Sequence, residues 1–189
     1  MRPAIFLDRD GVLCEEKGYI TSLDQLNIFP YTAECVRHIH EKGFLAICIT
    51  NQSAVARGMI SESNLVQMNQ YLIEKIGLDD LYYCPHHPKG IGPYRCICDC
   101  RKPQIGLIKR AVKQYDIDLS QSYMVGDRAS DILCGERAQI QTVLLESGYG
   151  TRRLEQPVTP DMVFENLYDF VQRFMHLDKN ETKNIRREY

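Results

Sequence analysis

Residues 4–13 read AIFLDRDGVL: four apolar residues, then Asp8 and Asp10 on either side of one arginine. An apolar run this short and nearly continuous suits a strand buried on both faces, as in a parallel sheet. Similar runs recur at 44–49 (FLAICI), at 123–125 (YMV, just before Gly126) and at 142–145 (TVLL). Helical stripes lie between them. Ala33, Val36 and Ile39 share a face that Gly43 is placed to end. Leu65, Met68, Leu72 and Ile76 repeat at helical spacing between a candidate N-cap at Ser61 and a stop at Gly77. Ile105, Ile108, Val112 and Tyr115 form a third stripe after Pro103, and Val163, Leu167, Phe170, Val171 and Phe174 a fourth. All four read as core-packing faces. This alternation predicts an α/β fold with a doubly wound, mainly parallel, Rossmann-like sheet. One domain is expected over 1–178, followed by a flexible polar tail over 179–189 with little to bury.

The bulk properties narrow the function. The 189 residues carry 23 basic and 25 acidic side chains, a net charge of −2, with 44% hydrophobic content. That suits one normal core. It lacks the basic bias of a nucleic-acid reader. The N-terminus is interrupted too early by charge to read as a signal peptide, and no apolar run approaches the roughly 18 residues of a membrane span. A cytoplasmic protein is expected, with no nucleic-acid or membrane partner. Eight cysteines in a reducing compartment then call for a use other than disulfides.

Ligands of doubly wound sheets bind beyond the carboxyl ends of the strands. Three polar clusters sit at such ends: Asp8-Arg9-Asp10-Gly11, Thr50-Asn51-Gln52-Ser53, and Gly126-Asp127-Arg128 with Asp131 four residues after Asp127. A fourth, Arg101-Lys102-Pro103, precedes a helix. Residues i and i+2 of an extended chain project to one side, so Asp8 and Asp10 can face one site, and Asp127 would add a third carboxylate. Such crowding is tolerable around a hard cation such as Mg2+. A carboxylate can attack phosphorus while a second protonates the leaving oxygen and later activates water. Lys102 and Thr50 fit the electrostatic partners that a phosphoryl group in transit needs. A lone Asp-x-Asp is a weak signal. Four complementary clusters, each at the end of an element, are a stronger one.

Residues 84–102, CPHHPKGIGPYRCICDCRK, hold Cys84, His86, His87, Cys96, Cys98 and Cys100. Thiolate and imidazole suit Zn2+, and four of them close a structural site. Six candidates exceed four, so spacing does not choose among them. The other readings are a disulfide, which conflicts with a reducing compartment, or unliganded thiols.

FLDRDGV, TNQS, RKP and VGDRASD together resemble the four motifs of the haloacid dehalogenase phosphatases, over about residues 5–150. The resemblance implies that Asp8 is the nucleophile, Asp10 the general acid and base, and Thr50 and Lys102 the phosphoryl stabilisers. It implies Mg2+ held by Asp8, the backbone carbonyl of Asp10, and Asp127. Asp131 is left either as an outer carboxylate or as a helix N-terminal residue. CPHHP followed by CxCRKP is similar to the heptose bisphosphate phosphatases and the related histidinol-phosphate phosphatases. That implies Zn2+ on Cys84, His86, Cys98 and Cys100, with Cys96 and His87 as bystanders.

The loop CEEKGYITSLDQLNIFP and the stretch TNQSAVARG resemble the heptose enzymes more closely. On that likeness the expected substrate is a small phosphorylated sugar, a heptose 1,7-bisphosphate that loses its C7 phosphate on the way to nucleotide-activated heptose. The substrate contacts expected are Glu16, Lys17, Gly18, Tyr19, Asn51, Gln52, Ser53, Arg101 and Arg128, with Arg101 gripping the second phosphate. Little chain is left for a large cap domain, and a monomer is expected. Ala54, Arg128, Tyr31 and Gln139 depart from the family pattern. Ala54 and Gln139 stand where glycine is usual, so a positive backbone dihedral at Ala54 would be strained. The first alternative is a histidinol-phosphate phosphatase; an alternative of a different class is a zinc-loop nucleic-acid or protein binding module on an inactive scaffold, and a third is a nucleic-acid 3′-phosphatase.

Overall fold

The computed structural model describes residues 1–151, 154 and 156–174. The expected tail over 179–189 lies outside them. Six strands form one sheet: β1 (Ala4–Leu7), β2 (Leu45–Asn51), β3 (Asp80–Cys84), β4 (Tyr123–Gly126), β5 (Gln141–Leu145) and β6 (Met162–Phe164). Their order is β3-β2-β1-β4-β5-β6, and every pairing is parallel. The helices are α1 (Thr32–Glu41), α2 (Ser53–Ala56), α3 (Glu62–Ile76), α4 (Gly106–Gln114), α5 (Ala129–Ala138) and α6 (Leu167–Phe174).

β1 is fully buried, and its side chains alternate between two layers. Ile5 and Leu7 pack with residues of α1, α3 and α6, whereas Ala4 and Phe6 pack with Leu107, Ile108 and Ala111 of α4. α3 begins as its sequence predicts, with the Ser61 hydroxyl accepting from Asn64 N at 3.1 Å, and ends at Gly77 with φ 78°.

Three details differ from the sequence expectations. Val163 lies in β6, so the fourth stripe joins a strand to a helix. The edge strand β3 was not anticipated; its residues before Cys84 are only half-buried, and so lack a continuous apolar run. Ala54 sits inside α2 and not in a left-handed turn, so its methyl brings no strain. Gln139 does take the left-handed conformation, φ 57°, at the end of α5. Among the described residues no helix is long and apolar enough to cross a membrane.

Because every strand runs the same way, their carboxyl ends share one edge. The strand order reverses between β1 and β4, the position where such sheets place a ligand.

Candidate active site

Asp8 follows β1 and Asp127 follows β4, on the two sides of that reversal. The Asp8 Oδ1 atom accepts from Arg9 N at 2.7 Å and pairs with Lys102 Nζ at 2.9 Å. Lys102 is buried and held from three sides: Asp8, Asp131 Oδ1 at 2.8 Å, and the Ile49 carbonyl at 2.7 Å. Burial alone would lower the ammonium pKa, but Asp131 and Asp8 raise it, so Lys102 carries a fixed charge. Its backbone is fixed separately. The Asn51 amide donates to Lys102 O at 3.0 Å and accepts from Lys102 N at 2.9 Å.

The Asp10 carboxylate has a different set of partners. Arg9 donates to both of its oxygens, at 2.9 and 3.0 Å. Gln52 Nε2 donates to Asp10 at 2.9 Å and to Thr50 Oγ1 at 2.9 Å, tying the second aspartate to the end of β2. Burial would raise the Asp10 carboxyl, but Arg9, with Gln52 and Cys14, holds it below the usual carboxylate range.

Oxygens of Asp8, Asp127 and Asp131 all lie within 4.8 Å of one another, and the three residues are buried. Burial and the charges of Asp8 and Asp131 push the Asp127 carboxyl well above its ordinary range. Asp127 Oδ2 accepts from Tyr149 N at 2.8 Å, while its buried Oδ1 has no partner. A crowded set of hard oxygens with one unmatched acceptor fits Mg2+. Asp131 is otherwise engaged, since its second oxygen accepts from Arg128 N at 3.1 Å and caps α5. It therefore serves both as helix cap and as partner of Lys102. Gly11 lets Asp127 come this close. Its φ is +88°, and a Cβ there would lie 2.5 Å from Asp127 Oδ2.

Asp8, Asp10, Thr50 and Lys102 line a cavity of about 440 Å³. Of the substrate contacts expected from the sequence, Glu16, Gly18, Tyr19, Asn51, Gln52, Ser53, Arg101 and Arg128 border it. Lys17 does not; it faces a neighbouring cavity and pairs with Glu15 at 3.4 Å. Arg128 pairs with Glu16 at 2.8 Å and stacks 3.8 Å from the Tyr149 ring. Arg57, His87, Ser130 and Tyr149 join the wall without having been anticipated. Arg57 lies inside TNQSAVARG, Ser130 inside VGDRASD and His87 inside CPHHP, whereas Tyr149 carried no sequence signal. His87 is a cavity residue, not a spare metal ligand: its Nδ1 accepts from Lys89 N at 3.0 Å. Burial and the cations Arg101, Arg57 and Lys89 hold its pKa low.

Beside this cavity Cys84, His86, Cys98 and Cys100 converge. Sγ of Cys98 is 3.5 Å from Cys84 and 3.3 Å from Cys100; His86 Nδ1 is 3.3 Å from Cys100 and 3.8 Å from Cys84. A tetrahedral site with bonds of about 2.0–2.3 Å has ligand-to-ligand edges of this order. Burial pushes the thiols of Cys84 and Cys100 up, Cys100 to about 11, and a divalent cation would reverse this by taking them as thiolates. Cys96 is not in the tetrad. The His86 carbonyl accepts from Arg101 at 3.3 Å, joining the tetrad to the cavity wall.

A parallel sheet with a carboxylate, a lysine and a candidate cation site at its reversal point defines the class, the haloacid dehalogenase-like hydrolases. A family model described as HAD-hydrolase-like matches residues 99–170. The chain is 39% identical over 176 residues to D-glycero-beta-D-manno-heptose-1,7-bisphosphate 7-phosphatase of Haemophilus ducreyi, covering 90% of this chain and 97% of that one. It is 36% identical over 176 residues to the Escherichia coli K12 protein of the same name, covering 89% and 87%. The crystal structure of a D,D-heptose 1,7-bisphosphate phosphatase from B. bronchiseptica, complexed with magnesium and phosphate, superposes with a TM-score of 0.80 at 26% identity, covering 92% and 98%. The chain belongs to this family of heptose-bisphosphate phosphatases.

Proposed function

We propose that the chain removes the 7-phosphate of D-glycero-beta-D-manno-heptose 1,7-bisphosphate, as a cytoplasmic monomer, with Mg2+ on Asp8, the Asp10 carbonyl and Asp127 and with structural Zn2+ in the Cys84–His86–Cys98–Cys100 tetrad. The observation that carries it is the Asp8 carboxylate at the sheet's reversal point, with Lys102 at 2.9 Å and the unmatched Asp127 oxygen beside it.

Asp8 attacks the phosphorus in line and forms an aspartyl phosphate. Lys102 and the Thr50 hydroxyl take up the charge on the phosphoryl oxygens. Mg2+, when bound, supplies further neutralisation of that charge and of the facing carboxylates. Asp10 is ionised at rest, and the arriving phosphate dianion favours its protonated form. It gives that proton to the departing sugar oxygen. It then takes a proton from the water that attacks phosphorus, releasing inorganic phosphate and regenerating Asp8. The second phosphate of the substrate meets Arg57 and Arg101 across the cavity, where guanidinium groups match its geometry.

The test compares kcat/KM for the heptose bisphosphate and for histidinol phosphate, with metal analysis on the same preparation. The expected result is a large preference for the heptose, abolished in Asp8→Asn, with one zinc per chain. A large preference for histidinol phosphate would overturn the substrate assignment. Polymer binding without hydrolysis would overturn the enzyme.

A further inference from the structure

We propose that Arg9 and Asn69 form a positioning relay that orients the Asp10 carboxylate for the second half of the reaction. The inference rests on the phosphatase reading above and deepens it.

By strand alternation Arg9 should follow Ile5 and Leu7 into the layer of α1, α3 and α6, away from the substrate. It does go to that side, and it is one of the largest fully buried side chains in the described structure. A guanidinium costs several kcal/mol to bury without compensation. Arg9 is compensated by a two-pronged pair with Asp10, Nε to Oδ1 at 2.9 Å and a terminal nitrogen to Oδ2 at 3.0 Å. Its other terminal nitrogen donates to Asn69 Oδ1 at 3.3 Å. Asn69 belongs to the apolar face of α3, among Leu65, Met68 and Leu72. A core packed only for stability would place a hydrophobic residue there. Moreover, Asn69 Nδ2 is buried without a partner. The asparagine is thus poorly satisfied, and its one evident use is the oxygen it offers to Arg9.

The chain Asn69–Arg9–Asp10 therefore connects a core helix to the carboxylate that must aim at a water molecule. A planar guanidinium gripping both oxygens fixes the carboxylate plane, which a single-point cation cannot do. Arg9 is buried and does not line the cavity. It acts through Asp10.

The test uses p-nitrophenyl phosphate with the metal-loaded enzyme and rapid quenching. The nitrophenolate leaves without a proton, so the first step makes no acid demand on Asp10. Hydrolysis of the aspartyl phosphate still needs Asp10 to take the proton of water. For Arg9→Lys we expect turnover slowed about tenfold or more, with the first release of nitrophenolate within about threefold of wild type, so that a burst of one equivalent appears. Asn69→Leu keeps the size and apolar setting of the α3 position. It should show the same pattern at smaller amplitude, and it carries the test if Arg9→Lys does not fold. Equal slowing of both phases, or no slowing of either, would overturn the relay while leaving the phosphatase standing. Absence of any monoester turnover in the wild type would overturn the phosphatase reading itself.

Discussion

Lys102, the proposed phosphoryl stabiliser, shows how one buried side chain is fixed in charge and place. Its ammonium is held by Asp8, Asp131 and a strand carbonyl, while Asn51 grips its backbone amide from both sides. The ion pairs set the charge and the asparagine sets the position. Asn51→Leu leaves the charge intact but removes both backbone contacts. We expect kcat to fall by up to about 100-fold, the loss typical of a small misplacement, with KM changed little. Steady-state kinetics at saturating Mg2+ would check this, and an unchanged kcat would show that the ion pairs suffice. At Gly11 the constraint is steric and conformational together. Gly11→Ala should displace Asp127 and raise the Mg2+ concentration needed for half-maximal activity, read from a metal titration. The proposed reacting groups Asp8, Asp10, Thr50, Lys102 and Asp127 could be picked out in the sequence because their residue types, each at the end of an element, together suit phosphoryl transfer. Asn51 and Gln52 were expected against substrate, yet their hydrogen bonds hold Lys102, Asp10 and Thr50. An amide serves either purpose, and only geometry separates them. Arg9 was hidden by its place between two aspartates that explained the motif without it.

Two elements carry predictions of their own. α5 ends on Gln139 in a left-handed conformation that glycine adopts without strain, and the residue is exposed. Gln139→Gly should stabilise the fold by about 1 kcal/mol and raise Tm by about 2–4 °C without altering kcat, measured by calorimetry and assay. The cysteine–histidine loop is the second element. It is short of apolar residues, and Ile97 is 91% exposed, so packing contributes little to its order. Its anchors are the tetrad, a hydrogen bond from Ile91 N to Ala56 O at 2.7 Å, and Tyr94 donating to Glu62 at 2.8 Å. Arg101 depends on the loop through His86, whereas Lys102 has its own supports. With zinc in the tetrad as proposed, chelation should therefore lower Tm and raise KM for a bisphosphate more than it lowers kcat for a simple monophosphate. A metal-free enzyme with unchanged Tm and KM would refute this coupling. The tetrad's convergence was foreseen only with the help of family resemblance, since six candidate ligands crowd nineteen residues.

At the scale of the molecule, the active site follows from strand direction. An all-parallel sheet collects its carboxyl ends on one edge, and order β3-β2-β1-β4-β5-β6 leaves an opening between the β1 and β4 ends. The central strands were legible because burial on both faces enforces a continuous apolar run. β3 and β6 were not, because edge strands need only one apolar face and β6 has three residues. Val163 shows the ambiguity directly: its spacing to Leu167 fits a helix, and only the pairing of Leu144 with Val163 makes it a strand residue. The proposed purpose of bringing Asp8, Lys102 and the candidate cation site together is to carry a phosphoryl group covalently on the enzyme. Its most direct test is to quench the metal-loaded enzyme in acid during turnover and map the phosphoryl group by peptide mass spectrometry. We expect it on Asp8; inorganic phosphate released at full rate while the Asp8 peptide is never phosphorylated would contradict the covalent route.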